Sequence, residues 1–331
     1  MDSIDTFDQF NLRKIILEYP GQIDAGAKFA KSITPDKRKF SNLIICAMGG
    51  SALPANLLAD YLKYNSKFNL PVEICSGYDL PCSAGKNSLI FAISYSGTTE
   101  ETVECVKQAI KIKSSIVIFS SGGKLQELAQ QNKLPQVKFK ITIPRFESRF
   151  STSYTFFAMH QVLTNAKLID RISKLPKVST RDLEVEGEDL AKRIASKTPV
   201  IYASEKYAAF AKSWKIKFNE NTKTPAFWNY FPELNHNEMI GFTNPQCGYR
   251  IIFMAAKDDS DQNLRRMKIT AKLFKEKGIE FEFVTIEGKS YLEKMMQALI
   301  LGDWTSYYLA CEYNQDPTPM EMVDELKKRM K

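Results

Sequence analysis

Residues 88–101 read Ser-Leu-Ile-Phe-Ala-Ile-Ser-Tyr-Ser-Gly-Thr-Thr-Glu-Glu. The apolar, β-prone run Leu89 to Ile93 breaks into a hydroxyl-rich turn, Ser94 to Thr99. A helical pattern then starts at Glu100, with Val103, Val106 and Ile110 on one face. A strand that ends in hydroxyl residues and feeds a helix N-terminus can cradle a phosphate monoester. The N–H groups of the first helical turn have no partner within the helix, and the helix dipole favours negative charge there. Ser and Thr add donors without a fixed charge. A second unit of the same kind precedes it: Leu43 to Met48, then Gly49-Gly50-Ser51-Ala52, then Leu53, Leu57, Leu58 and Tyr61 at helical spacing. Such clusters often do no more than cap the next helix. Two on consecutive strand–helix units, with the same donors, weigh against that. Neither turn carries Gly-Lys-Ser/Thr or G-x-G-x-x-G, so the expected ligand is a small phosphorylated metabolite rather than a nucleotide.

Outward from these turns, apolar runs at Val72–Cys75, Ile116–Phe119 and Val137–Ile143 alternate with helical stretches at Glu101–Ile112 and Lys124–Gln131. A helix over Tyr154–Leu163 follows. Alternating strand and helix implies a parallel sheet covered on both faces, with ligands beyond the carboxyl ends of the strands. Both hydroxyl turns fall at those ends. After a polar, Pro-containing stretch, Ser173–Ser179, the alternation resumes with strands at Val200–Ala203, Ala226–Asn229, Tyr249–Ala255 and Phe281–Ile286. Helices are expected over Ala208–Asn219, Asn263–Lys277 and Leu292–Glu312, with another near Glu321–Lys331. The 331 residues suit two α/β domains of the doubly wound type. These are expected over 1–172, with the hydroxyl turns, and over 180–331.

Composition narrows the function. The net charge is +8, but the lysines are dispersed and the densest basic cluster is Lys327-Lys328-Arg329. This fits attraction of an anionic substrate and solvated helix faces better than a nucleic-acid surface. No apolar stretch reaches eighteen residues, and the acidic start Met1-Asp2-Ser3-Ile4-Asp5 lacks a hydrophobic run, so neither membrane span nor secretory signal is expected. The six cysteines are scattered without a C-x-x-C pair, which argues against a metal site or disulfide framework and for a reducing cytoplasm.

A second constellation lies in residues 214–242, where polar groups crowd among aromatics. Ala211, Trp214 and Phe218 share one helix face, Glu220 closes that helix, and Pro225 stops its continuation. A carboxylate against the negative end of the helix dipole suits proton abstraction. His236 sits in an Asn-His-Asn-Glu turn; His160, on a helix, is expected to play no part in the chemistry. An acid–base pair beside a phosphate cradle fits proton abstraction next to the carbonyl of a sugar phosphate.

Gly49-Gly50-Ser51, Ser94 to Thr99, Asn219-Glu220-Asn221-x-Lys223-x-Pro225-Ala226 and Pro232-Glu233-Leu234-Asn235-His236-Asn237-Glu238 together resemble the bifunctional phosphoglucose/phosphomannose isomerases of the sugar isomerase (SIS) superfamily. The hydroxyl turn alone points to the superfamily; the two later blocks are more specific. The resemblance runs from about residue 20 to the C-terminus. It implies two SIS domains, each a five-stranded parallel sheet flanked by helices, in a homodimer with sites at the interface. It also implies reversible interconversion of glucose 6-phosphate or mannose 6-phosphate with fructose 6-phosphate, using no metal or cofactor. By resemblance, Ser94, Ser96 and Thr99 hold the substrate phosphate, with Ser51 close by. Glu220 matches the base that moves a proton between C2 and C1 through a cis-enediol. His236 matches a ring-opening residue supplied by the partner subunit. Arg149, chosen over Arg145 by its spacing to Tyr154, matches the arginine that stabilises the enediolate, where Gly50, next to Gly49, offers a backbone N–H. Lys327, or Lys328 one register on, matches a lysine that helps ring opening. Thr318 is the candidate for a threonine that mannose-acting members carry near this end. Two alternatives keep the phosphate site: an isomerase of another sugar phosphate, and a non-catalytic sugar-phosphate-binding protein that would need neither Glu220 nor His236.

Overall fold

The computed structural model describes residues 7–330. Two helices come first, α1 (Leu12–Leu17) and α2 (Tyr19–Phe29). Then follow β1 (Asn42–Ala47), α3 (Gly49–Asn65), β2 (Val72–Cys75), β3 (Ser88–Ile93), α4 (Glu100–Lys111), β4 (Ser115–Ser120), α5 (Gly123–Gln131), β5 (Gln136–Lys138) and α6 (Thr152–Asn165). Every residue of β1, β3 and β4 is buried, as continuous apolar strands must be when helices cover both faces of a sheet. The five strands are parallel, in the order β2-β1-β3-β4-β5. On one face α4 and α5 bring Val103, Val106, Leu125 and Leu128 onto Ile44, Ile90, Ile116 and Ile118. Because the chain leaves β1 for β2 on one side and returns to β3 on the other, the order reverses between β1 and β3. A crevice opens at the carboxyl ends of such a pair. Ala47 and Ile93 are register partners at that place, so Gly49–Ser51 and Ser94–Thr99 leave the sheet side by side. The strand expected over 137–143 is shorter, because its neighbour β4 ends at Ser120, opposite Lys138, and leaves nothing to pair with beyond.

The second half contains α7 (Thr180–Ile194), β6 (Thr198–Ser204), α8 (Ala208–Thr222), β7 (Phe227–Phe231), β8 (Tyr249–Ala256), α9 (Asp261–Glu276), β9 (Glu280–Ile286), α10 (Tyr291–Glu312) and α11 (Glu321–Arg329). Its parallel sheet has four strands, ordered β7-β6-β8-β9, where five were expected. After β9 the described chain continues only through α10 and α11, so no further strand is available to extend that edge. Between β7 and β8 the expected crossover is made by two 3-10 turns, Glu233–Asn235 and Glu238–Thr243.

The chain forms two compact units. One is Tyr19–Leu175; the other starts at Pro176 and also takes in the described residues up to Glu18. The break falls in the polar stretch expected to be the linker. The N-terminal segment departs from an allocation of residues 1–172 to one domain. Helix α1 buries Leu12, Ile15 and Ile16, packs on α7 and α10, and is fastened there by Arg13 Nε on Glu184 Oε1 at 2.8 Å. Asp8 caps it, accepting from Leu12 N at 2.7 Å and Arg13 N at 3.0 Å.

Candidate functional site

In the first unit the hydroxyl turn is already knitted together. Ser94 is fully buried, and its Oγ lies 2.7 Å from Thr99 Oγ1 and 3.5 Å from Ser96 Oγ. It also accepts from Gly97 N at 3.1 Å. Ser96 Oγ is 3.0 Å from Thr98 Oγ1 and accepts from Thr98 N at 3.3 Å. Ser96 and Thr98 are exposed and Thr99 is half-buried. Ser94 therefore supports the turn from beneath, while Ser96 and Thr98 are open to solvent. Neither Thr99 at the start of α4 nor Met48 at the start of α3 caps its helix with a side chain, which leaves the first-turn N–H groups for an anion. Ser51, also buried, joins the two turns by accepting from Tyr95 N at 3.3 Å. Gly97 sits at φ +73, and a Cβ there would lie 1.8 Å from Gly122 O, so only glycine fits against the turn that follows β4.

Arg149 comes to the same crevice by its backbone. It lies in a 3-10 turn, Ser148–Ser151, that packs on the start of α3. A Cβ at Gly50 would stand 2.7 Å from Arg149 N and 2.7 Å from Ser148 Oγ. The Arg149 side chain is 1% exposed and its guanidinium lies over the Phe150 ring at 4.5 Å. Arg145, by contrast, is exposed.

In the second unit Glu220 is half-buried in the last turn of α8. The helix ends where Lys223 takes a left-handed conformation, φ 58, and its Nζ donates back to Glu220 O at 2.6 Å. Helix α8 is fixed to α10 at three polar points. Trp214 Nε1 donates to Ala298 O at 2.7 Å, Lys217 Nζ pairs with Asp303 Oδ1, and Asn221 Nδ2 donates to Ser306 Oγ at 2.9 Å. His236 is exposed, but its turn is anchored on both sides. Leu234 is fully buried, Asn235 Nδ2 donates to Thr270 Oγ1 at 2.9 Å, and Glu238 accepts from Tyr202 OH at 2.6 Å and from Asn229 Nδ2. Lys327 and Lys328 lie on α11, all of whose residues are exposed. Thr318 is buried and its N–H donates to Asp316 Oδ1 at 2.9 Å.

The corresponding strand ends of the second sheet, after β6 and β8, are filled by the chain's own charges. Ser204 Oγ donates to Asp259, while Lys206 Nζ (2.8 Å), Lys294 Nζ and Tyr207 OH (2.9 Å) surround Asp258. Burial pushes the Asp258 carboxyl up, but the two ammonium groups and the phenol outweigh it and hold the carboxyl well below the usual range. The open hydroxyl turns belong to the first unit.

A model described as the bacterial phospho-glucose isomerase C-terminal SIS domain matches residues 184–330. The bifunctional phosphoglucose/phosphomannose isomerase of Aquifex aeolicus is 31% identical over 307 residues, covering 91% of this chain and 93% of the relative. That of Caldicellulosiruptor bescii is 33% identical over 337 residues, covering 95% and 97%. The chain belongs to the bifunctional phosphoglucose/phosphomannose isomerase family. Its fold is also that of the C-terminal domain of glucosamine-fructose-6-phosphate aminotransferase from Francisella tularensis, with a TM-score of 0.69 at 17% identity over 93% of this chain and 98% of that one.

For this isomerase the structure gathers Ser51, Ser94, Ser96, Thr99, Gly49, Gly50 and the Arg149 backbone at one crevice, and sets Glu220 and His236 on anchored segments of the other unit. Reading the sequence alone missed Thr98, Ser148 and Lys217. Thr98 is legible in the hydroxyl turn itself. The signal for Lys217 is Asp303, a lone acid inside the otherwise apolar middle of α10, which requires a cation. His160 lies in the core of the first unit, 5.5 Å from the Tyr61 ring centroid, and burial lowers its titration to about 4.

Proposed function

We propose that this protein interconverts glucose 6-phosphate and mannose 6-phosphate with fructose 6-phosphate by moving a proton between C2 and C1 of the open-chain sugar. The observation that carries this is the pair of hydroxyl turns at the β1/β3 reversal, joined through Ser51 and Tyr95, in a chain of this family. Ser96, Thr98, Thr99 and the first-turn N–H groups bind the phosphate, with Ser94 aligning Thr99. The Glu220 carboxylate takes the proton from C2 of the aldose and returns it to C1, while a hydroxyl proton passes from O2 to O1. The Arg149 guanidinium and the Gly50 N–H offset the negative charge that develops on those oxygens. Return of the proton to either face of C2 accounts for both aldoses.

His236 opens the sugar ring in the site of a second copy, and Lys327 assists. The exposure of both residues in the single chain supports a homodimer as the working form. So do the apolar side chains that α11 exposes, Met322 at 87% and Leu326 at 58%. Glu220→Gln tests the assignment. It keeps the side chain's size and removes the base, so turnover should fall by about three orders of magnitude or more, while binding of a phosphorylated inhibitor stays within a fewfold of wild type. Turnover at the wild-type rate would remove Glu220 from the mechanism.

A further inference from the structure

Three cysteines that the sequence scatters are brought to one point in the first unit. Cys46 on β1 and Cys75 on β2 are register partners in adjacent parallel strands, and Cys105 reaches the same sheet face from α4. Their Sγ atoms all lie within 4.8 Å of one another, with Cys75 and Cys105 3.7 Å apart, and none is in a disulfide. Cys46 and Cys105 are fully buried and Cys75 is 9% exposed, so the cluster has one narrow side towards solvent. The loop after β2 folds over it. Asp79 O is 3.1 Å from Cys75 Sγ, and Gly77 O is 3.4 Å from Cys105 Sγ.

We propose that Cys46, Cys75 and Cys105 form a binding site for one thiophilic d10 cation, Zn(II) or Cu(I). A metal bound at ~2.3 Å to three sulfurs in a trigonal plane sets them about 4.0 Å apart, within the spread already present. A disulfide would need two of the sulfurs to close to about 2.05 Å and would leave the third unused. The ligand set is purely sulfur, which selects soft cations over Mg(II), Ca(II) or Mn(II). Each ligating thiol gives its proton to solvent. Cys75, the one member of the cluster with any exposure, is the sulfur through which a cation enters. β1 leads directly into Gly49–Ser51 and α4 follows directly on Thr99, so the bound cation braces both arms of the β1/β3 crevice.

The test uses the full chain, reduced and free of oxygen, with Cys82, Cys247 and Cys311 changed to Ser so that only the cluster remains. Zinc sulfate in one arm, and Cu(I) held by a chromophoric chelator in the other, are followed by stoichiometry after desalting. One equivalent of either cation in this background, lost on Cys105→Ser, is the expected result; which arm retains it identifies the metal. No retained cation in either arm, or an undiminished equivalent in Cys105→Ser with native circular dichroism, overturns the proposal. Should Cys105→Ser not fold, labelling of Cys75 in the parent background decides. At free metal about a hundred times the dissociation constant, labelling should slow roughly a hundredfold, and an unchanged rate refutes the site.

Discussion

The buried pair Lys217–Asp303 fixes the helix that carries Glu220, and its removal has a calculable cost. Both side chains are 1% exposed, α8 against α10. Lys217→Met leaves the Asp303 carboxylate inside the protein without its ammonium partner, which costs about 3–5 kcal/mol. Asp303→Leu does the same to the ammonium. Replacing both, as Lys217→Met/Asp303→Leu, removes the two desolvated charges together and should return the protein to within about 1 kcal/mol of wild type, or above it. The exposed pair Arg329–Glu325 makes the control, since a surface ion pair contributes under about 1 kcal/mol. All three tryptophans, Trp214, Trp228 and Trp304, lie in the second unit, so urea unfolding followed by their fluorescence reports on that unit alone. With a urea slope of about 2 kcal/mol per molar, each single substitution should lower the midpoint by roughly 1.5–2.5 M. A single variant that loses less than about 1 kcal/mol, or a double variant as unstable as either single, would refute the argument.

Gly50→Ala drives a methyl group to within 2.7 Å of Arg149 N, so the 148–151 turn must shift, and kcat/KM should fall about a hundredfold. A variant with wild-type kinetics would show that the contact is immaterial. Ser96→Ala should raise KM about tenfold or more, the worth of a hydrogen bond to a charged group at roughly 1.5–3 kcal/mol, and change kcat much less; a pure kcat loss contradicts a phosphate role. His160 is held neutral, with its titration lowered to about 4 from 6.5. The unfolded chain therefore binds the extra proton more readily, and stability falls as pH drops from 6.5 towards 4, by about 3 kcal/mol in all. That pH slope should flatten in His160→Leu, followed by circular dichroism, and an unchanged slope would assign the effect to other groups.

Much of the architecture was legible where the local pattern and the tertiary environment agree. Continuous apolar runs such as 43–47 and 89–93 have a single stable use, a strand covered on both faces, and the structure places β1 and β3 there. Helix α7 went unread because charged residues surround its apolar positions, Leu183, Leu190, Ala191 and Ile194, and no aromatic marks them. The fifth strand expected in the second sheet came from the resemblance, and β7-β6-β8-β9 corrects it. Strand order itself is non-local: nothing in residues 42–99 states that β3 lies beside β1, yet that neighbourhood aligns the two hydroxyl turns. The same limit hid the cysteine cluster, whose members stand on three different elements. Arg149, favoured by its spacing to Tyr154, is buried, whereas Arg145 is exposed. The left-handed residue that ends α8 is Lys223, two positions before the proline credited with stopping that helix.

The central claim is the interconversion of hexose 6-phosphates, and the direct measurement supplies fructose 6-phosphate to the purified protein and follows glucose 6-phosphate and mannose 6-phosphate separately. Both products should form with wild type and neither with Glu220→Gln. Absence of both from folded wild-type protein would contradict the account.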